Sequence, residues 1–292
     1  MFIAGRHRLV QLSATAYLMA STISIQTIMA ANTDQPPASD SSPISSTPPQ
    51  EATPSGTPGN PSKPLEGRVE EQQEESLPAI EAKFRTGTTF DEAALTAQTP
   101  DNIWIQTPEW FGGKWHSDTE TINYMYDYKS GASSSSERFM KAVASTTYGM
   151  QRSKDGQLWT FVKLPRVAKT ETEFGYAYLY ALREDLLKYS DTKLVIKFFY
   201  YEISTDSNNT IAKVERVSSI NTYTQLDEGL VRLKASMKSF DEEGQPKLLQ
   251  FSEKVMKQTA PYEEVDQEYG LNLKQLFAEF LKKIGKEDQI PS

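Results

Sequence analysis

The chain has 292 residues, a net charge of −8 at neutral pH, 38% hydrophobic residues and no cysteine. Disulfide scaffolds, thiolate metal sites and cysteine nucleophiles are thereby excluded, and stability has to come from packing. The acidic balance gives nucleic-acid binding no electrostatic support.

Residues 1–31 place Arg6, His7 and Arg8 ahead of a mostly apolar run that ends in small residues at Ala30 and Ala31. That is the layout of a secretory signal peptide. A retained membrane anchor is the rival reading, but Gln11, Ser13, Thr15, Ser21, Ser24 and Gln26 make the run too polar for hydrocarbon. Cleavage is expected to leave no membrane span and a periplasmic or secreted protein.

Residues 32–64 hold nine prolines in thirty-three positions and almost no large apolar residue. Such a stretch cannot offset its ordering entropy, so an extended, mobile tether is expected from residue 32 to 100. Across that range four Lys/Arg stand against eleven Asp/Glu, which places most of the acidity in the tether. Thr89 and Glu92 have the spacing of a capping box and predict one short helix there.

After Asp101 the apolar period becomes two. In residues 121–131, Ile122, Tyr124, Tyr126 and Tyr128 alternate with polar positions, as in a half-buried antiparallel strand. Two β-rich runs flank Asp155-Gly156, a hairpin signal because both residues tolerate positive φ, and Pro165 closes the second run. In residues 174–182, Phe174, Tyr176, Tyr178, Tyr180 and Leu182 share one face and Ala177, Leu179 and Ala181 the other. Both faces are apolar, which predicts a central strand. Further β-rich runs follow to about residue 259, separated by turn residues. Leu273, Leu276, Phe277, Phe280, Leu281 and Ile284 then fall at helical spacing, with Asn272 as N-cap and Gly285 as stop. The fold class expected for residues 101–292 is mainly β. It is an antiparallel meander of roughly eight to ten strands, as a barrel or a strongly curved sheet, with a C-terminal amphipathic helix over 272–285.

Catalytic signatures are sparse. After the signal peptide the only histidine is His116. Its neighbours Ser117 and Asp118 suggest a Ser-His-Asp triad, but successive strand residues point to opposite faces and cannot assemble one alone. Ser190 and Lys193 match a Ser-x-x-Lys spacing, yet Lys193 enters a strand where that chemistry needs a helix start. Glu120, Asp127, Glu171, Glu173 and Glu202 could supply a carboxylate pair for a hydrolase, without any two being selected. No catalytic residue, metal site or cofactor is assigned.

Large rings with polar tips stand out instead. Tyr and Phe stabilise strands through cross-strand pairs, by roughly 0.2–1 kcal/mol each, which is their ordinary use. They can also line a pocket, and the candidate ligand-binding residues are Tyr124, Tyr126, Tyr128, Trp159, Tyr176, Tyr178, Tyr180 and Phe198.

Phe111-x-Gly113-x-Trp115 resembles the opening of the first strand of lipocalins and fatty-acid-binding proteins, the calycin group of small antiparallel barrels. The resemblance implies that Gly113 and Trp115 are structural anchors and that Trp115 packs on a basic side chain from a late strand, for which Arg232 is the candidate. It also implies a ligand lumen. The functional expectation is an exported, non-catalytic binding domain for an apolar or amphipathic small molecule. The alternatives are an envelope or secretion-system module that docks a protein partner, and a carboxylate-based hydrolase.

Overall fold

The computed structural model describes residues 73–96 and 101–291. The signal layout, the proline-rich stretch and the first part of the acidic stretch lie outside them. The described chain is mainly β and antiparallel, with one longer helix near its C-terminus. Among the described residues no helix is long and apolar enough to cross a membrane.

The strands are β1 (Asp101–Thr107), β2 (Gly113–Asp127), β3 (Ser133–Ser134), β4 (Arg138–Tyr148), β5 (Gln151–Arg152), β6 (Leu158–Leu164), β7 (Arg166–Thr172), β8 (Gly175–Tyr189), β9 (Lys193–Asp206), β10 (Ile211–Asp227), β11 (Leu230–Phe240), β12 (Pro246–Ala260), β13 (Gln267–Glu268) and β14 (Leu271–Asn272). Helices α1 (Ala93–Thr96) and α2 (Leu273–Lys283) flank them. Strands β7 to β12 form a meander in which each pairs with the next. Beyond β12 the chain does not continue the sheet; β2 pairs there instead, with β4 and β3 on its far side. Among the described residues β7 and β4 pair on one side only, so the sheet is open where the barrel alternative would have closed it.

A second sheet, in the order β1-β6-β5, lies on one face of the large one, called the inner face below. Its residues alternate between two cores. Ile105, Val162 and Leu164 turn to the large sheet and meet Leu179, Leu194, Ile196, Phe198 and Val217. Trp104, Trp159 and Phe161 turn the other way and meet Leu273, Phe277 and Leu281 of α2. Asn272 caps this helix, its side chain accepting from Gln275 N at 3.0 Å, as its sequence position predicts. The Asp155-Gly156 hairpin joins β5 to β6, with Gly156 at φ 92. The chain changes sheets just before it, at Gly149, so β4 pairs with β2 and not with β6.

The outer face corrects the expected extent of the tether. Ile80, Phe84, Phe90 and Leu95 are buried against Tyr178, Tyr180, Tyr201 and Ile203. Residues 73–95 therefore form a strap across the sheet, although their composition is acidic and polar. The physical reason is that these few apolar points meet a face of strands β8 and β9 that would otherwise hold exposed rings, and each buried ring or aliphatic side chain contributes about 1.5–3 kcal/mol. Polar groups fasten the same segment: Leu77 N donates to Gly244 O at 3.0 Å, Gly87 N to Ile211 O at 2.8 Å, and Lys238 Nζ to Glu74 O at 2.6 Å. Helix α1 starts after Asp91, whose carboxylate accepts from Ala93 N at 3.0 Å, while Thr89 bridges to Thr210 instead of capping.

Phe84 provides the test of the strap. Phe84→Ala removes a fully covered ring and should lower the unfolding free energy by about 3 kcal/mol. A lower urea midpoint with an unchanged slope is the expected record. A midpoint equal to that of the native chain would show that the strap is not part of the cooperative fold.

Candidate functional site

The structure distributes the aromatic candidates among separate environments. Tyr178 and Tyr180 are buried under the strap, with Phe90 and Phe84 at 4.6 and 6.1 Å between ring centres, and Tyr176 stands at its rim beside Lys169. Trp159 lies under α2, 5.2 Å from Phe280, and its Nε1 donates to Ser153 Oγ at 3.1 Å. Phe198 belongs to the core between the sheets. Tyr124, Tyr126 and Tyr128 are half-buried near the far end of β2, where Tyr124 stacks on Phe251 and Lys238 sits over the Tyr128 ring. These residues share no common pocket, and the inner face is filled by the second sheet.

The anchor positions are buried. Trp115 is 1% exposed, its Nε1 donates to Phe111 O at 2.9 Å, and Phe111 in turn packs on Tyr148 and Tyr223 at 4.2 and 4.8 Å. Gly113 has φ 124, and a Cβ there would collide with the carbonyl of Ala260. Arg232 does not meet Trp115. It is exposed and alternates with the buried Val231 and Leu233, which share the core with Trp115, so it projects from the opposite face.

What the large sheet does present is a split. β12 pairs with β2 at Glu253↔Thr121 and again at Lys257↔His116, but not between. There Ser117 to Glu120 and Lys254 to Met256 leave the ladder, and Asp118 and Thr119, adjacent in sequence, are both exposed. Regular alternation forbids that, and a bulge explains it. The opening is a cleft of about 460 Å³ on the outer face, lined among others by His116, Asp118, Arg232, Val255 and Lys257. Ser117 and Lys254 also line it, although both are buried and belong by alternation to the inner face.

The floor is polar. Lys254 Nζ lies 3.5 Å from Glu120 Oε2, and Ser252 Oγ donates to Glu120 Oε1 at 2.5 Å. Both ions are nearly removed from water, where an ion pair survives only by mutual compensation. Nearby, burial pushes the Tyr200 phenol well up from its usual range, and the carboxylates of Glu202 and Glu120 push it further. Among the described residues Ser117 Oγ has no hydrogen-bond partner. Buried polar atoms are satisfied in the great majority of cases, so an open hydroxyl beside the cleft is a feature suited to a polar guest.

On the rim, His116 Nδ1 is 2.9 Å from Ser145 Oγ and Nε2 is 2.8 Å from Asp118 Oδ1. The hydroxyl comes from β4, whereas Ser117 faces inward. This chain of three orients the imidazole but does not reproduce a hydrolytic triad. The Asp118 side chain is 72% exposed, and a carboxylate so screened polarises a ring weakly. The carboxylate candidates are also scattered. Glu120 pairs with Lys254, and Asp127 closes the following turn, its carboxyl held below its usual range by bonds from Ser130. Glu171 and Glu173 are exposed at the β7–β8 turn, and Glu202 lies near Tyr200. Among the described residues no cluster of three or more His, Asp or Glu is placed to hold a metal ion.

The chain matches no protein-family model, no curated protein and no solved structure.

Lys254 and Lys257 carry no motif, and Ser117 enters the sequence reading only as a neighbour of His116. The available signal was parity: Lys254 stands two residues from Ser252 and from Met256, on the buried side of its strand. Lys254→Met leaves Glu120 buried without its cation and should cost about 3 kcal/mol in a denaturant titration. Adding Glu120→Leu should restore most of that loss. A single variant as stable as the native chain would show that the pair is not closed off from water.

Proposed function

We propose that the protein is an exported, non-catalytic binding domain that takes a small amphipathic molecule through the split between β2 and β12. The observation that carries this reading is that the ladder between β2 and β12 opens into a cleft whose lining includes Ser117, 3% exposed and with no partner for its hydroxyl among the described residues. Val255 is 46% exposed at the rim and offers an apolar wall. The volume of about 460 Å³ falls in the ordinary range of small-molecule sites, roughly 300–1,000 Å³. Export rests on the signal layout of residues 1–31. The rings first considered as ligand contacts serve packing in this reading, and polar and cationic groups take the recognition role.

A second reading has its own support. β4 is an edge strand of eleven residues, and Phe139 on it is 74% exposed. Long free edges invite an added strand, so docking of an extended segment from an envelope protein is the alternative. Slowed amide exchange along residues 138–148 in the presence of such a segment would favour it.

The cleft reading is tested with 11-(dansylamino)undecanoate, an amphipathic fluorescent probe. Saturable one-to-one binding to the native chain is expected, and Val255→Trp, which fills the groove from an exposed position, should weaken it about tenfold or more, equivalent to about 1.4 kcal/mol or more. An unchanged affinity in that variant, with its circular dichroism intact, sinks the assignment to this cleft.

A further inference from the structure

The charges around the cleft specify more than an amphipathic guest. Lys254 is matched by Glu120 beneath it. Asp118 accepts from His116 on the rim, and Glu253 stands directly across the ladder from Lys234. Arg232 and Lys257 are left over. Both are exposed, both line the cleft, and neither forms an ion pair with a described residue. Val255 is the register partner of Arg232 and lies two residues from Lys257 on the same face of β12, so the two cations flank one apolar side chain. Ser117, whose hydroxyl has no partner among the described residues, is also in the lining of the cleft.

We propose that the group recognised here is an oxyanion, a phosphate or carboxylate head on an alkyl-bearing molecule. This rests on the cleft being the binding site. A guanidinium presents a planar fork that can donate to two oxygens of one head group, and an ammonium adds a second charge from the side. Val255 meets the first carbons of the chain. With a net charge of −8, the protein as a whole repels an anion, so the attraction has to be local. Added salt should therefore weaken the contact made by exposed cations.

The experiment uses the full chain and single-tailed probes below their micelle concentrations, followed by calorimetry. Dodecyl phosphate and dodecanoate are expected to bind, and Arg232→Gln and Lys257→Gln should each weaken them about tenfold, with a further loss in high salt. Dodecyltrimethylammonium should not bind. Competition by inorganic phosphate would assign the affinity to the head group alone, and its failure would assign part of it to the tail; both keep the oxyanion. Equal affinity for the anionic, neutral dodecanol and cationic probes, or native affinity in both charge variants, overturns the proposal. If Val255→Trp still blocks those probes, the cleft stands as the site and only its preference for anions falls. If Val255→Trp leaves their binding intact, the cleft itself is not the site.

Discussion

A sheet with two apolar faces must be covered twice. Strands β8 and β9 impose that constraint, because Leu179, Ala181, Leu194, Ile196 and Phe198 point one way while Tyr178, Tyr180, Tyr201 and Ile203 point the other. The small sheet supplies the inner cover and the strap supplies the outer one. The small sheet has the same difficulty on its own far side, where Trp104, Trp159 and Phe161 need α2. The layers thus follow one from another, and the strap, the small sheet and α2 each remove a ring or an aliphatic face from water.

The polar part of the inner face lies toward β12 and β2. Moving across the register from Ile196, the inward side chains become Asn221, Ala235 and Ser252; from Phe198 they become Ser219, Met237 and Gln250. Each row begins apolar and ends with a group that can hydrogen-bond. Along these two rows the packing passes from apolar contacts at β9 to hydrogen-bonding groups at β12, where Ser252 meets Glu120.

Much of this order was written in the local pattern. Alternation in residues 174–182 identified a strand apolar on both sides, the helical stripe after Asn272 identified α2, and Asp155-Gly156 identified its hairpin. The strap was hidden because its acidic residues dominate the composition, while the information lay in the few positions Ile80, Phe84, Phe90 and Leu95 and in a sheet face that sequence cannot show. The partner of β4 was hidden for a related reason, since a β-rich run does not state which distant strand it joins. The Arg232 assignment failed against a signal already present. Arg232 alternates with Val231 and Leu233, and a residue that alternates with core positions faces away from Trp115. Grouping the aromatic candidates required knowledge of pairing order, because rings on the same parity of different strands can still lie under different covers.

The split itself follows from two fixed points on β2. Trp115 and Ile122 are both buried, and they are seven residues apart. In a regular strand an odd separation puts side chains on opposite faces, so both can be buried on one face only if a bulge intervenes. β12 keeps its alternation through Met256, Lys254, Ser252 and Gln250, and cannot absorb the extra residue of β2. The mismatch has to appear as unpaired backbone between the two strands. A one-residue deletion in β2 would repair the ladder but would turn either Trp115 or Ile122 out of the core, at a cost larger than the hydrogen bonds regained, each of which contributes about 1 kcal/mol net. Core packing therefore maintains the opening, and the polar residues at its floor stand where the ladder has already been given up.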